Sequence, residues 1–313
     1  MIETPAPIAL FVYRRPDHLQ ATIDALRRNP EASQSELHVF SDAPRNEEAA
    51  GGVEAVRRML CELGGFRSVN VVHREQNYGL AANITQGVTD VLGGHDRVIV
   101  IEDDIVASPF FLRFMNEALT TYRDEPRVGS ISGYCYPLDR AVGETFFIRG
   151  ADCWGWATWR DRWKVFNPDG PALLSELRRR KLTHAFDFDG TMRFTGMLED
   201  QIAGRNDSWA VRWHAACFLK DLLILYPGRP LAQNIGQDGT GTHNMSADDA
   251  YDVLLSSTPV KVGGVPIVES KGGRAAFRAF FRRSQPQTSV LDRALRAARK
   301  AVQLAHRSVA KFG

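Results

Sequence analysis

Glu102-Asp103-Asp104 stands directly behind the β-branched run Val98-Ile99-Val100-Ile101. Such a run reads as a strand buried on both faces. Three carboxylates at its end are costly unless something positive neutralises them. The expected neutraliser is a divalent cation carrying phosphates, because Mg²⁺ and Mn²⁺ favour one or two carboxylates plus phosphate oxygens. The plainer alternative is a solvated strand end or a helix cap, since Asp104 lies just ahead of Ser108-Pro109. Other polar groups sit at equivalent places. Arg14-Arg15 follow an apolar run at 8–13, Asp42 follows 37–41, and Arg74 to Asn83 follow 69–73. Arginine suits phosphate, and an aspartate suits the imide N–H of a nucleobase. Four successive strands thus deliver polar groups to one edge, which is what a nucleotide site needs.

Three later segments carry further chemistry. Asp207-Ser208-Trp209, with Glu199-Asp200 upstream, offers a carboxylate able to deprotonate a hydroxyl. Asp207 could equally cap a helix starting near Trp209. Residues 234–243 hold Gly236, Gly239 and Gly241 and end on His243. They suit a loop whose backbone approaches phosphate, with His243 as a further metal or phosphate contact; the plain alternative is a surface loop. All six tryptophans lie between 154 and 213. Indoles stack on sugar faces, so Trp154-Gly155-Trp156-Ala157-Thr158-Trp159 is a candidate acceptor platform, although about half of the six are expected to be core.

The elements that must position these groups alternate. Strands are predicted at 8–13, 37–41, 69–73, 98–101 and 128–132, and helices from Pro16 to about Arg28, then at 52–63, 80–92 and 108–122. This pattern implies a parallel sheet with right-handed crossovers. The tryptophan region reads as irregular structure over the end of the sheet, residues 227–243 as loop, and 260–268 as a hairpin around Gly263-Gly264.

Several classes are disfavoured. No G-x-x-x-x-G-K-[ST] exists, which excludes a P-loop ATPase, and no G-x-G-x-x-G follows an early strand. Asp187-Phe188-Asp189-Gly190-Thr191 looks like a haloacid-dehalogenase-type nucleophile motif, but no buried strand pattern precedes it. Cys61, Cys135, Cys153 and Cys217 include no C-x-x-C pair and read as reduced cytosolic thiols. The start of the chain shows no signal pattern, and no stretch reaches spanning length.

The net charge of +2 hides an asymmetry. Residues 271–313 carry eleven Lys/Arg and one acid, leaving 28 basic residues against 36 acids elsewhere. Helical spacing at 288–312 puts Leu291, Leu295, Val302 and Val309 on one stripe with arginines around it. With Phe277, Phe280 and Phe281 as apolar anchors, this basic helix is expected to favour an anionic membrane surface; a solvated basic face is the plain alternative. Nucleic acid is the weakest partner, because the main body is acidic.

Taken in order, Phe11-Val12-Tyr13-Arg14-Arg15-Pro16, Ser41-Asp42, Asn77-Tyr78-Gly79-Leu80-Ala81-Ala82-Asn83 and Glu102-Asp103-Asp104 resemble the GT-A nucleotide-sugar glycosyltransferases. The resemblance is to the family-2-like group that shares its acidic triplet with N-acetylglucosaminyltransferase I. It spans about residues 6–245. It implies a GT-A, Rossmann-like α/β fold with a mostly parallel sheet. The implied activity is metal-dependent, inverting transfer of a hexosyl or N-acetylhexosaminyl group from a nucleotide-sugar to a glycan or lipid-linked hydroxyl, as in polysaccharide biosynthesis. It further implies that Asp42 contacts the donor base and Arg14 or Arg15 the nucleotide. Asn77, Gly79 and Asn83 would form the turn under the donor. Asp104 would bind Mn²⁺ or Mg²⁺ directly, and Glu102 and Asp103 would hold the ribose and the hydrated metal. Asp207 is the favoured base through its Asp-Ser-Trp-x-x-Arg-Trp resemblance, with Asp200 as the alternative. Expected organisation is a transferase domain at 1–245, an extension at 246–285 and a basic amphipathic helix at 286–313, cytoplasmic and peripheral on the inner membrane face. The rival is a non-catalytic sugar- or lipid-binding protein on a transferase scaffold.

Overall fold

The computed structural model describes residues 4–237 and 249–284. Its first half follows the alternating pattern. Strand β1 (Ile8–Val12) leads into α1 (Pro16–Arg27), β2 (Glu36–Ser41) into α2 (Glu47–Cys61), and β3 (Ser68–His73) into α3 (Gly79–Gly94). Then come β4 (Arg97–Glu102), the short β5 (Ile105–Ala107), α4 (Phe111–Thr121) and β6 (Val128–Ser132). Pro16 starts α1 at a position where its missing N–H costs nothing, and the Asn46 side chain caps α2 by accepting from the Ala49 N–H.

The second half is more regular than its sequence suggests. It contains β7 (Thr145–Ile148), β8 (Trp156–Trp159), α5 (Arg160–Trp163), α6 (Gly170–Arg179), α7 (Thr183–Phe186) and α8 (Phe194–Ile202). These are followed by α9 (Trp209–Leu219), β9 (Leu223–Pro227), β10 (Ala232–Asn234) and α10 (Lys271–Ser284).

Eight strands form one sheet in the order β3-β2-β1-β4-β8-β6-β9-β7. β3, β2, β1 and β4 run parallel, β8 is antiparallel between β4 and β6, β6 and β9 are parallel, and β7 closes the edge antiparallel to β9. This is the mostly parallel, Rossmann-like α/β sheet that was expected. The Val98–Ile101 run is indeed buried throughout, between core layers on both faces. Each such side chain contributes about 1.5–3 kcal/mol by leaving water.

Four sequence expectations are corrected. The tryptophan segment is not an irregular layer over the sheet: Trp156–Trp159 is a central strand, and five of the six tryptophans are buried, only Trp154 being partly open. Trp156 packs among Trp163, Trp209 and Trp213, with ring centroids 5.5–5.9 Å apart. No hairpin forms at 260–268, and residues 232–234, read as loop, are a strand paired with β5. Phe277, Phe280 and Phe281 are not membrane anchors. They are buried against Tyr136, with centroids 4.8–5.0 Å away, so their apolar surface is already used inside the protein. The predicted basic helix at 286–313 lies outside the described residues. Among those described, no helix is long and apolar enough to cross a membrane.

Candidate functional site

The parallel half of the sheet explains why the singled-out residues meet. β2, β1 and β4 are adjacent and point the same way, so Asp42, Tyr13-Arg14-Arg15 and Glu102-Asp103-Asp104 emerge side by side. Crevices at such carboxyl ends are where open α/β sheets hold ligands.

The acidic triplet has a neutraliser of its own. Arg15 Nη2 donates to Asp103 Oδ1 at 2.6 Å and to Asp104 Oδ2 at 2.7 Å. The Tyr13 N–H donates to the other Asp103 oxygen at 3.1 Å. Arg15 is therefore turned inward onto the acids, which the sequence reading did not foresee. Burial works against its cation, but Asp103 and Asp104 outweigh this and raise its pKa. Burial, followed by the Asp104 and Asp103 charges, pushes the Glu102 carboxyl up to about 8 against the pull of Arg15. Burial likewise raises Asp103, opposed by Arg15.

One arginine does not saturate the cluster. Asp104 Oδ1 and Arg15 Nη1 are buried with no hydrogen-bond partner among the described residues. An orphaned carboxylate oxygen on Asp104 is the hard ligand that Mn²⁺ or Mg²⁺ takes alongside phosphate oxygens, so Asp104 fits such a cation. Ile235 and Gly236, just after β10, pack against Asp104. Pairing of β10 with β5 brings the Ile235 N–H to the Asp104 carbonyl at 2.8 Å. Gly236 then lies so close that a Cβ there would collide with the Asp104 carboxylate and come within 2.8 Å of Arg15 Nη1. His243, proposed for the same loop, lies outside the described residues.

Asp42 has a different part. Both its oxygens are taken, by the N–H groups of Ala43 and Tyr78 at 2.9 and 2.8 Å and by Gly79 N–H and Asn77 Nδ2 at 2.9 and 3.1 Å. A carboxylate has about four acceptor sites, so Asp42 anchors the 77–79 turn and the start of α3. Gly79 enters that helix at φ +74°, a conformation glycine adopts without strain. Asn83 is buried, receives Arg74 Nε at 3.1 Å and holds the Phe40 carbonyl, a structural placement. Arg14 reaches the exposed Glu48 at 3.7 Å and is partly open at the same edge.

The two candidate bases are placed differently. Asp207 Oδ2 lies 3.7 Å from where a Cβ on Gly79 would stand, so it faces the turn under Asp42. It does not cap α9: Ser208 does, accepting from the Val211 N–H at 3.2 Å. The Asp207 side chain is 60% exposed, with Arg212 at 3.7 Å. Asp200, by contrast, is held by Arg205 on the end of α8, and Glu199 by Arg178. The haloacid-dehalogenase-like Asp187 follows the short α7 rather than a buried strand and accepts from the Thr195 N–H, which removes that reading.

Sequence reading missed Asp152. It stands just ahead of β8, which runs antiparallel to β4, so it reaches the same edge. Burial raises its pKa, opposed by hydrogen bonds from Tyr136 and the Cys153 and Trp154 N–H groups. Its neighbour Cys153 feels the charges of both Asp152 and Glu102. A lone acid inside an aromatic segment carried no spacing signal. The acceptor platform shrinks to Trp154, which packs edge-on to Tyr134 and Tyr251 at 4.7 and 5.8 Å.

No family model matches the sequence, and no curated protein matches it. Solved structures give distant likenesses. TarS from S. aureus matches at 13% identity and a TM-score of 0.29 over 44% of this chain, which spans only 23% of TarS. A mannosyltransferase from Pyrobaculum calidifontis, solved with GDP-Man and Mn²⁺, matches at 14% identity and 0.37, covering 69% of this chain and 71% of its own. A UDP-glucose pyrophosphorylase, solved with UDP-glucose, matches at 12% identity and 0.38, covering 71% and 90%. Likenesses at this level do not assign the chain to a family.

Proposed function

We propose that this protein is a metal-dependent glycosyltransferase that moves a hexosyl or N-acetylhexosaminyl group from a nucleotide-diphosphate sugar to a hydroxyl of a glycan or lipid-linked acceptor, with inversion. The observation that carries the reading is the convergence of Arg15, the acidic triplet, the Asp42-anchored turn and Asp207 on one sheet edge. In this reading Asp104, supported by Asp103 and Glu102, holds the divalent cation. When bound, that cation neutralises charge on the leaving diphosphate. Arg14 and Arg15 bind phosphate oxygens, and Asp42 sets the position of the α3 start rather than meeting the base itself. Ile235 and Gly236, packed on Asp104, help to cover the donor and keep water away.

Asp207 is the proposed base. It takes the proton of the acceptor hydroxyl while that oxygen bonds to the anomeric carbon and the sugar–phosphate bond breaks toward the diphosphate. Its exposure, its freedom from capping duty and its looser arginine contact, 3.7 Å to Arg212, suit this role better than Asp200, which accepts from Arg205 Nε at 2.9 Å. The reading is tested by Mn²⁺-dependent hydrolysis of a nucleotide-sugar panel, comparing the natural protein with Asp104→Ala. Metal-dependent turnover lost in the variant supports it. Donor binding without turnover at any acceptor would instead favour a binding protein on this scaffold.

A further inference from the structure

Glu36, His38 and His95 form a second polar cluster, at the opposite end of the sheet from the acidic triplet. Glu36 and His38 are two apart on β2 and so share a face, the one that Phe40 also presents to α3. His95 is the residue on which α3 ends, just before β4. α3 packs across β1, β2 and β4, which carries His95 over to His38. Six residues of strand separate Glu36 from Asp42, about 20 Å along the sheet. The cluster is therefore independent of the proposed transferase edge, and nothing in the transferase reading uses it.

Its geometry is specific. His38 Nε2 lies 3.3 Å and His95 Nε2 3.4 Å from the same oxygen, Glu36 Oε2. All three ligand atoms fall within 4.8 Å of one another. Zinc bonds to imidazole and carboxylate are about 2.0–2.2 Å, and a tetrahedron of such bonds has edges of about 3.3–3.4 Å. Two of the three edges already have that length. The other Glu36 oxygen is held by Arg67, which fixes the carboxylate with Oε2 toward the imidazoles. Metal-binding carboxylates are held in this way by an outer hydrogen bond. The two rings stand edge to face with centroids 5.6 Å apart. All three side chains are only partly buried, which leaves a route for an ion and a place for water as the fourth ligand.

We propose that Glu36, His38 and His95 form a binding site for a zinc-class divalent cation, with water completing the tetrahedron. Two imidazoles select zinc over Mg²⁺ and Mn²⁺, which prefer the oxygen-only triplet. The bound ion ties the start of β2 to the end of α3.

The test is Zn²⁺ titration of the full chain by calorimetry, with Co²⁺ substitution read by visible absorption. The expected result is one Zn²⁺ per chain at this site. Binding weakens at least about tenfold in His38→Ala and in His95→Ala, while Asp104→Ala keeps it. Co²⁺ gives the intense visible band of a tetrahedral site in the natural protein and not in the histidine variants. Circular dichroism confirms that each variant is folded, and Glu36→Gln, which keeps size and shape, serves if an alanine variant is not. Undiminished Zn²⁺ binding in the folded His38→Ala/His95→Ala double variant would overturn the proposal. So would the absence of Zn²⁺ uptake by the folded natural protein, whatever the outcome of the transferase assays.

Discussion

Replacing Arg15 by Gln should expose how the triplet is kept in balance. The Arg15 guanidinium is 2.6–2.7 Å from two carboxylates whose side chains are 5% and 14% exposed. Removing one partner of a buried pair costs about 3–5 kcal/mol, because the remaining charge is left uncompensated. Arg15 itself is 20% exposed, so water recovers part of this, and a loss near 3 kcal/mol is expected. The assay is urea unfolding of the natural protein and Arg15→Gln, with and without saturating Mn²⁺. Without metal, the variant should lose about 3 kcal/mol at an unchanged slope. With Mn²⁺ at 100 times its dissociation constant, about 2.7 kcal/mol should return. At that same Mn²⁺ concentration the natural protein should gain less, because the cation has to displace a fixed positive charge and so binds it more weakly. A loss below about 1 kcal/mol would place the pair among ordinary surface ion pairs and refute the reasoning.

Gly236→Ala should weaken Mn²⁺ binding without unfolding the protein, since the added methyl collides with Asp104 and Arg15; equal affinity by calorimetry would contradict this. Asp42→Ala removes the acceptor of four hydrogen bonds and should cost about 3 kcal/mol, with faster hydrogen exchange in the first turn of α3. His214 is buried among Phe186 and Phe194 with neither ring nitrogen bonded among the described residues, and burial, then Arg274, lowers its pKa to about 3. The unfolded chain thus binds the extra proton first, so stability is lost as pH falls from about 6.5 towards 3, by up to ~1.4 kcal/mol per unit. His214→Leu should flatten that acid limb in pH-dependent unfolding. Trp156→Ala should cost about 3–5 kcal/mol as a core deletion, whereas Trp154→Ala, at a half-open position, should cost far less.

The strands β1 to β4 and helices α1 to α4 are legible in the sequence because each, apart from the exposed edge strand β3, buries one clear stripe or run, and the ends differ by up to about five residues. The edge where Arg15, Asp42 and Glu102 gather is legible for a related reason: parallel strands joined by helical crossovers place their carboxyl ends together. The second half is not. Trp156–Trp159 is four residues long and buried on both faces, so it shows no alternation, and its partners β4 and β6 are set by tertiary packing. The direction in which Arg15 points was also hidden, because a strand-end arginine facing solvent and one folded back onto acids have the same sequence. The Phe277–Phe281 group looked like a lipid anchor because its protein partner, Tyr136, lies far away in the chain. Asp42 was placed correctly at the edge, but its four hydrogen bonds depend on the 77–79 turn of the next crossover.

The most direct test is an anomalous difference map from crystals grown with Mn²⁺ and a nucleoside diphosphate, measured on the manganese absorption edge. A peak at the Asp104 carboxylate, bridging to the diphosphate and with Arg15 Nη2 moved off Asp104, is the predicted result. Manganese density confined to Glu36, His38 and His95, or a diphosphate bound away from the acidic triplet, would contradict it.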